Sequence, residues 1–136
     1  MFYITKSFEV SCAYKLYLDY ESEATQLQGD TLVIEITCGG NEVNTSGMLI
    51  DFDSIQREVL DMLDHKYLND VLRNINPTLE NLAKWVCEQV DTLCEIGYCI
   101  RVAIHSADNA VAIYENDLGS TNLAKSSHPN SQYITH

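Results

Sequence analysis

Asp64 and His65 stand side by side near the middle of the chain, and five cysteines, Cys12, Cys38, Cys87, Cys94 and Cys99, are spread along it. Carboxylates, imidazoles and thiolates are the usual carriers of acid–base and nucleophilic chemistry. The cysteines form no CxxC pair, and an odd count suits reduced thiols in a cytoplasm. Their plain reading is as small core residues. Asp64 and His65 have a plain reading too. A carboxylate near a helix end bonds loop amides, and the histidine pins the loop.

The pair needs elements to hold it. Residues 47–86, GMLIDFDSIQREVLDMLDHKYLNDVLRNINPTLENLAKWV, read as turn, helix, loop and second helix. Asp53 is expected to start the first helix, with Gln56 three residues on at capping-box spacing. Ile55, Val59, Met62 and Leu63 then mark one face of a 3.6-residue period. The second helix is expected after Pro77, with Thr78 as its N-cap. Its apolar stripe is Leu79, Leu82, Ala83, Val86, Val90 and Leu93, and Gly97 reads as its stop. Periodicity alone predicts two amphipathic helices lying on a sheet.

The flanks supply that sheet. Phe8, Val10, Cys12 and Tyr14 alternate with Glu9, Ser11, Ala13 and Lys15, a strand with one buried face. Residues 19–25 are polar and read as loop. A second strand covers about residues 27–38, with Gln28, Asp30, Leu32, Ile34, Ile36 and Cys38 on one face. Gly39-Gly40-Asn41 then turns the chain. Ile100, Val102 and Ile104 alternate with Arg101, Ala103 and His105 in a third strand. Ala107-Asp108-Asn109 is a turn, and Val111 and Ile113 begin a fourth strand that ends near Glu115. The expectation is an α+β domain over residues 1–115, ordered ββααββ, with a four-stranded antiparallel sheet and two helices on one face. Residues 116–136 are polar and read as a C-terminal tail, mobile or packed on a partner. No internal repeat or second domain is visible.

Composition bounds the function. The 136 residues are 46% hydrophobic and 21% charged, which is ordinary for a soluble domain. The net charge of -12 argues against a nucleic-acid surface and against an anionic membrane, since both need clustered Lys and Arg. No apolar run reaches membrane-spanning length. The start, MFYITKSFEV, lacks a basic region followed by an apolar core, so no signal peptide is expected and the location reads as cytoplasmic.

GMLIDF, LDHKYLND and NPTLENLAKW, in that order and spacing, resemble the 6-pyruvoyltetrahydropterin synthase and 6-carboxytetrahydropterin synthase family. Members are zinc lyases of pterin and queuosine-precursor synthesis, acting on dihydroneopterin triphosphate. The resemblance implies the tunnelling fold. It also implies a homo-oligomer, with trimers whose sheets close into a twelve-stranded barrel and two trimers stacked as a hexamer. Closing a barrel between subunits removes exposed sheet edges.

The site residues depart from that family. Members hold zinc with three histidines, one in a first-strand segment like AAHRL and two in HGH on the second strand. Here the first segment is Cys12-Ala13-Tyr14-Lys15-Leu16, with Tyr14 at the histidine position. Gln28 and Asp30 take the other two, around Gly29. Three imidazoles suit zinc and leave a position for substrate. Phenol, amide and carboxylate do not, so no cofactor is expected although the family uses zinc. The family's catalytic cysteine falls at Ala24. Cys12, two residues before Tyr14 on the same strand face, reads as a small buried thiol. The glutamate that anchors the pterin, in a segment like KET, falls at Ser106. A hydroxyl cannot accept the two parallel N–H bonds that a carboxylate can. Asp108, in the turn, is a candidate to reach in, while His105 points to the other face.

Asp64 and His65 match the family's proton relay, and Thr78 matches threonines that line the pterin pocket. The candidate site is therefore Asp64 and His65 as a retained relay, with Thr78, Ser106 and Asp108 for ligand. This predicts a non-catalytic small-molecule-binding or interaction module whose ligand is pterin- or purine-like. The alternative is a 6-pyruvoyl- or 6-carboxytetrahydropterin synthase-type lyase, or another pterin- or purine-processing enzyme, working without zinc through Asp64 and His65.

Overall fold

A computed structural model describes residues 1–20, 22 and 25–117. Four antiparallel strands form one sheet in chain order: β1 Phe2–Tyr14, β2 Gln28–Gly40, β3 Tyr98–His105 and β4 Val111–Glu115. Alternation decides which face is covered. Phe8, Val10 and Cys12 stand opposite Ile34, Leu32 and Asp30. Ile34 and Ile36 stand opposite Ile104 and Val102, and those face Ala112 and Tyr114. This face carries the buried core, each fully buried Leu or Ile contributing about 2 kcal/mol of transfer free energy. The other face is largely polar, with Thr5 and Thr37 hydroxyls 2.8 Å apart and Arg101 3.7 Å from Glu35.

The α+β order expected from sequence is present, with differences in the helical layer. Helix α1, Phe52–Glu58, is capped by Asp51 and not by Asp53. The Asp51 carboxylate accepts the Asp53 amide at 2.9 Å, while Gln56 donates to Asp61 instead of closing a capping box. After α1 the chain tightens into a 3-10 turn, Leu60–Met62. Each residue there advances by about 120° in place of 100°. Leu60 therefore joins Ile55, Val59 and Leu63 in the core, and Met62 is left 45% exposed. A one-turn helix, α2 Leu68–Val71, lies where a loop was expected and buries Leu68.

Helix α3, Leu79–Leu93, packs on β3 and β4. Its cap is Thr78, whose hydroxyl accepts the Asn81 amide at 3.1 Å. Cys87 extends the expected buried stripe. The helix ends at Cys94, so Gly97 is not its stop. Gly97 is instead needed for close approach. A Cβ there would fall on the Gly39 carbonyl oxygen and lie 3.3 Å from the Gly40 Cα. Gly39 and Gly40 are correspondingly the last residues of β2 and not part of a turn.

Asn116 directly follows β4 and is tied back to β3. Its amide donates to the Ile100 carbonyl at 2.7 Å and its side chain to the Cys99 carbonyl at 2.9 Å. Of the tail expected over residues 116–136, residues 118–136 lie outside the described residues. Among the described residues no helix is long and apolar enough to cross a membrane.

Candidate functional site

The β1–β2 register sets Tyr14 opposite Gln28 and Cys12 opposite Asp30, on the core side at one end of the sheet. The three positions that the resemblance sets at the zinc ligands are therefore brought together, and two of them, Tyr14 and Asp30, bond within the protein. The Tyr14 hydroxyl donates to Asp30 Oδ2 at 3.2 Å. Asp30 Oδ1 accepts the Ala107 amide at 3.2 Å, which ties β2 to the β3–β4 turn. Burial, then the Asp30 charge, pushes the Tyr14 hydroxyl up to about 12. It is a neutral donor at pH 7. The donor set does not suit zinc: one phenol holding its proton, one amide, and one carboxylate with both oxygens bonded. Among the described residues no three His, Cys, Asp or Glu side chains are grouped to hold a metal ion.

Cys12 lies beside this pair. Burial first, then the charges of Asp30 and Asp64, push its thiol up to about 12. A thiol this far above neutrality supplies almost no thiolate. Ala24 lies outside the described residues.

Ser106 and Asp108 meet in the β3–β4 hairpin. The Ser106 hydroxyl bonds the Asp108 carboxylate and accepts the Ala110 amide at 3.1 Å. Asn109 takes the left-handed conformation that closes the turn, with φ 69°. Asp108 thus bonds back onto its own hairpin, where its charge also reaches Tyr14.

Asp64 and His65 do contact each other, Nδ1 to Oδ2 at 3.2 Å. Their stronger ties run to β1. Asp64 Oδ1 accepts the Ser11 amide at 2.9 Å. The His65 amide donates to the Ser11 carbonyl at 2.6 Å, and the Ala13 amide donates to the Lys66 carbonyl at 3.0 Å. The carboxylate therefore seals a strand edge and not a loop amide. The loop is pinned by the backbone of His65, whose side chain is 80% exposed. Asp64→Ala should cost about 1–3 kcal/mol, because it orphans the Ser11 amide. His65→Ala should cost no more than about 0.5 kcal/mol, as for a surface side chain. Urea denaturation of both variants checks this, and equal losses would refute the assignment.

Two asparagines missed from sequence complete the same edge. Asn69 accepts the Lys15 amide at 2.9 Å and donates to the Lys15 carbonyl at 2.8 Å. Asn76 does the same to Tyr17, both bonds at 2.9 Å. A carboxamide carries a donor and an acceptor side by side and so imitates a paired strand. Thr78 is spent on the α3 cap, and Asn81 reaches back from that helix to the Asn76 carbonyl at 2.9 Å. The signal was present, since Asn69 and Asn76 sit inside LDHKYLND and NPTLENLAKW. Those segments hold the edge of β1 together.

A model of the 6-pyruvoyl tetrahydropterin synthase family matches residues 3–117. The chain is 27% identical over 131 residues to the 6-carboxy-5,6,7,8-tetrahydropterin synthase of Bacillus subtilis, covering 89% of this chain and 90% of that protein. It is 30% identical over 116 residues to a putative 6-carboxy-5,6,7,8-tetrahydropterin synthase of Pyrococcus abyssi, covering 65% of this chain and 71% of that one. Among solved structures, the 6-pyruvoyl tetrahydropterin synthase of Caenorhabditis elegans superposes with a TM-score of 0.68 at 20% identity, covering 85% of this chain and 96% of that one. At that identity the match speaks for the fold.

Proposed function

The chain belongs to the 6-pyruvoyl tetrahydropterin synthase family, and from that premise we propose that it is a member without the zinc-lyase activity, serving as a non-catalytic binding module. The observation that carries this reading is the Tyr14–Asp30–Ala107 network, which occupies the zinc-ligand positions with hydrogen bonds of 3.2 Å. A site built for metal leaves donor lone pairs free. This one uses them to join β1, β2 and the β3–β4 turn. The ligand class proposed is a pterin- or purine-like small molecule, in a cytoplasmic setting.

The contact between Asp64 and His65 favours a second reading, a zinc-free enzyme of the same substrate class. The first reading is preferred because Asp64 already serves the Ser11 amide and the Cys12 thiol beside it stays protonated.

The proposal includes a homo-oligomer built on trimers. On their outer side, residues 2–9 of β1 meet no strand among the described residues, and β4 is the other edge of the sheet. Phe2, Tyr3, Ile4, Val111 and Ile113 are exposed along these two edges. Unpaired apolar edges are stabilised by pairing with another copy. A hollow of about 380 Å³ lined by Phe2, Ile4, Met48 and Phe52 adjoins the β1 edge.

Native mass spectrometry tests both parts at once. Trimers or hexamers with well under one zinc per chain are expected. About one tightly held zinc per chain would overturn the reading of the site. A monomer at micromolar concentration would overturn the reading of the edges. Titration with a pterin then separates a small-molecule module from a protein-binding one.

A further inference from the structure

The hollow of about 380 Å³ beside β1 is an apolar opening with an acidic rim. Phe2, Ile4, Val43 and Met48 line it and are 38% to 51% exposed. Large apolar side chains gathered in one exposed patch mark a surface that something covers. The charged residues of the lining are Asp51 and Asp53, both at the start of α1. The chemistry of an occupant follows from this. It is apolar, and it carries a cation on the side of the two carboxylates.

Residues 118–136 of this chain have that chemistry. The sequence LGSTNLAKSSHPNSQYITH holds no Asp or Glu, and its Leu123 and Ala124 stand directly before Lys125. Residues 1–117 hold the seven other Lys and Arg and all twenty Asp and Glu, a net charge of -13. The segment is thus the one long stretch of the chain that the acidic body attracts. The chain also leaves the sheet in the right place. Ile4 pairs with Cys38, Cys38 pairs with Cys99, and the Asn116 side chain bonds the Cys99 carbonyl at 2.9 Å. Asn116 and the hollow therefore lie at the same end of the sheet, three strand spacings or about 14 Å apart. Asp117 shares a second hollow with Lys84 and Glu88 of α3, so the chain departs on the helical side, where Phe52 of α1 closes the first. From Asp117 to Leu123 is six residues, about 20 Å of extended chain.

We propose that residues 118–136 fold back as a strap on their own domain, with Leu123 and Ala124 filling the hollow beside β1 and Lys125 at its Asp51 and Asp53 rim. Reach, charge and apolar content select the same occupant independently. The strap fills side-chain space under the sheet and leaves the backbone edge of residues 2–9 open to another copy. It rests neither on the chemistry of the zinc-ligand positions nor on the trimer, so either of those readings can fail without it.

Limited trypsin digestion of the full chain tests this, because cleavage after Lys125 tracks the fraction of undocked strap. Leu123→Asp spoils the strap and Met48→Asp spoils the hollow. Met48 is 43% exposed, so its replacement leaves the core intact, and thermal unfolding checks that both variants keep the fold. Each variant should be cut after Lys125 about tenfold faster than wild type or more. Wild type cut as fast as the variants would overturn the proposal. So would faster cutting of Leu123→Asp with Met48→Asp unchanged, since the strap would then dock elsewhere. Co-expression of the two variants separates a chain's own strap from a neighbour's. On the proposal both chains stay fast. Protection of the Met48→Asp strap by the intact hollow of the other chain would overturn it.

Discussion

No 6-pyruvoyl- or 6-carboxytetrahydropterin should form when the purified protein is incubated with dihydroneopterin triphosphate and zinc. On the proposed reading, three contributions that the resemblance implies for the family's chemistry have no counterpart in this chain. Polarisation of the substrate side chain by a metal ion needs the histidines that Tyr14, Gln28 and Asp30 replace. Proton abstraction needs a thiolate, and the matching residue is Ala24. Cys12 cannot stand in, since its thiol is held up to about 12. Anchoring of the pterin edge needs a carboxylate at Ser106, whose hydroxyl is bonded to Asp108. Each loss alone is worth about 10²-fold or more in rate. Such effects do not multiply cleanly, but together they bring the reaction to background.

Restoring one group should therefore rescue nothing. The informative variant carries Tyr14→His, Gln28→His, Asp30→His, Ala24→Cys and Ser106→Glu together. It should also lose stability, because Asp30→His removes the tie from β2 to the Ala107 amide. Turnover by the unmodified protein at about 1 per second or faster would show that the catalytic groups lie elsewhere in the chain.

Gly97→Ala should be the most damaging glycine-to-alanine change among the described residues, lowering stability by about 3 kcal/mol or more. The added carbon would fall on the Gly39 carbonyl oxygen, 3.0 Å from its carbon and 3.3 Å from the Gly40 Cα. All three contacts are backbone, so no side chain can rotate out of the way. Gly39 pairs with Tyr98, and the β2–β3 ladder must part at that end to make room. In a domain of this size the loss lowers Tm by about 10 °C. Gly47→Ala is the matched control. Gly47 has φ 83° but nothing within 4 Å of an added Cβ, so only backbone strain of about 1 kcal/mol applies. Thermal unfolding of the two variants decides the matter. A Gly97→Ala Tm within about 2 °C of wild type, well under 1 kcal/mol, would rule out the tight crossing.

Much of this architecture was legible in the sequence because its signals are local. Alternation in residues 8–14 and 27–38 is a two-residue pattern, and it placed Cys12, Tyr14, Gln28 and Asp30 on one face of the sheet. The α3 stripe and the Thr78 cap are likewise short-range features. The misreadings have local causes too. Asp51 and Asp53 offer the same carboxylate two residues apart, and only the backbone turn selects Asp51. Met62 was placed in the core by assuming a 3.6-residue period that the 3-10 turn breaks. Gly97 was taken for a helix stop because its crowding comes from Gly39, far away in sequence. At the site, residue identities alone led to the expectation of no three-histidine zinc centre. What Asp30, Ser106 and Asp108 bond could not be read, since those partners are set by how the β3–β4 hairpin meets β2. Asp64, Asn69 and Asn76 stood inside the quoted motifs, but their partners Ser11, Lys15 and Tyr17 lie more than fifty residues away and could not be read.

Those three side chains close contacts between residues 53, 54 and 59 positions apart in the chain. Ring closures of that length carry a large entropic cost, and they form after shorter-range structure has brought their ends together. The β1–β2 ladder, α1 and α2 are therefore expected to form before Ser11, Lys15 and Tyr17 find their partners. Once formed, the bonds share one rigid loop, so they let go together. The last third of β1 and the segment after it should behave as one small cooperative unit. It can open to solvent while the ladder between β2 and β3 stays shut. The segments that resemble a catalytic signature would then set how readily this side of the molecule breathes.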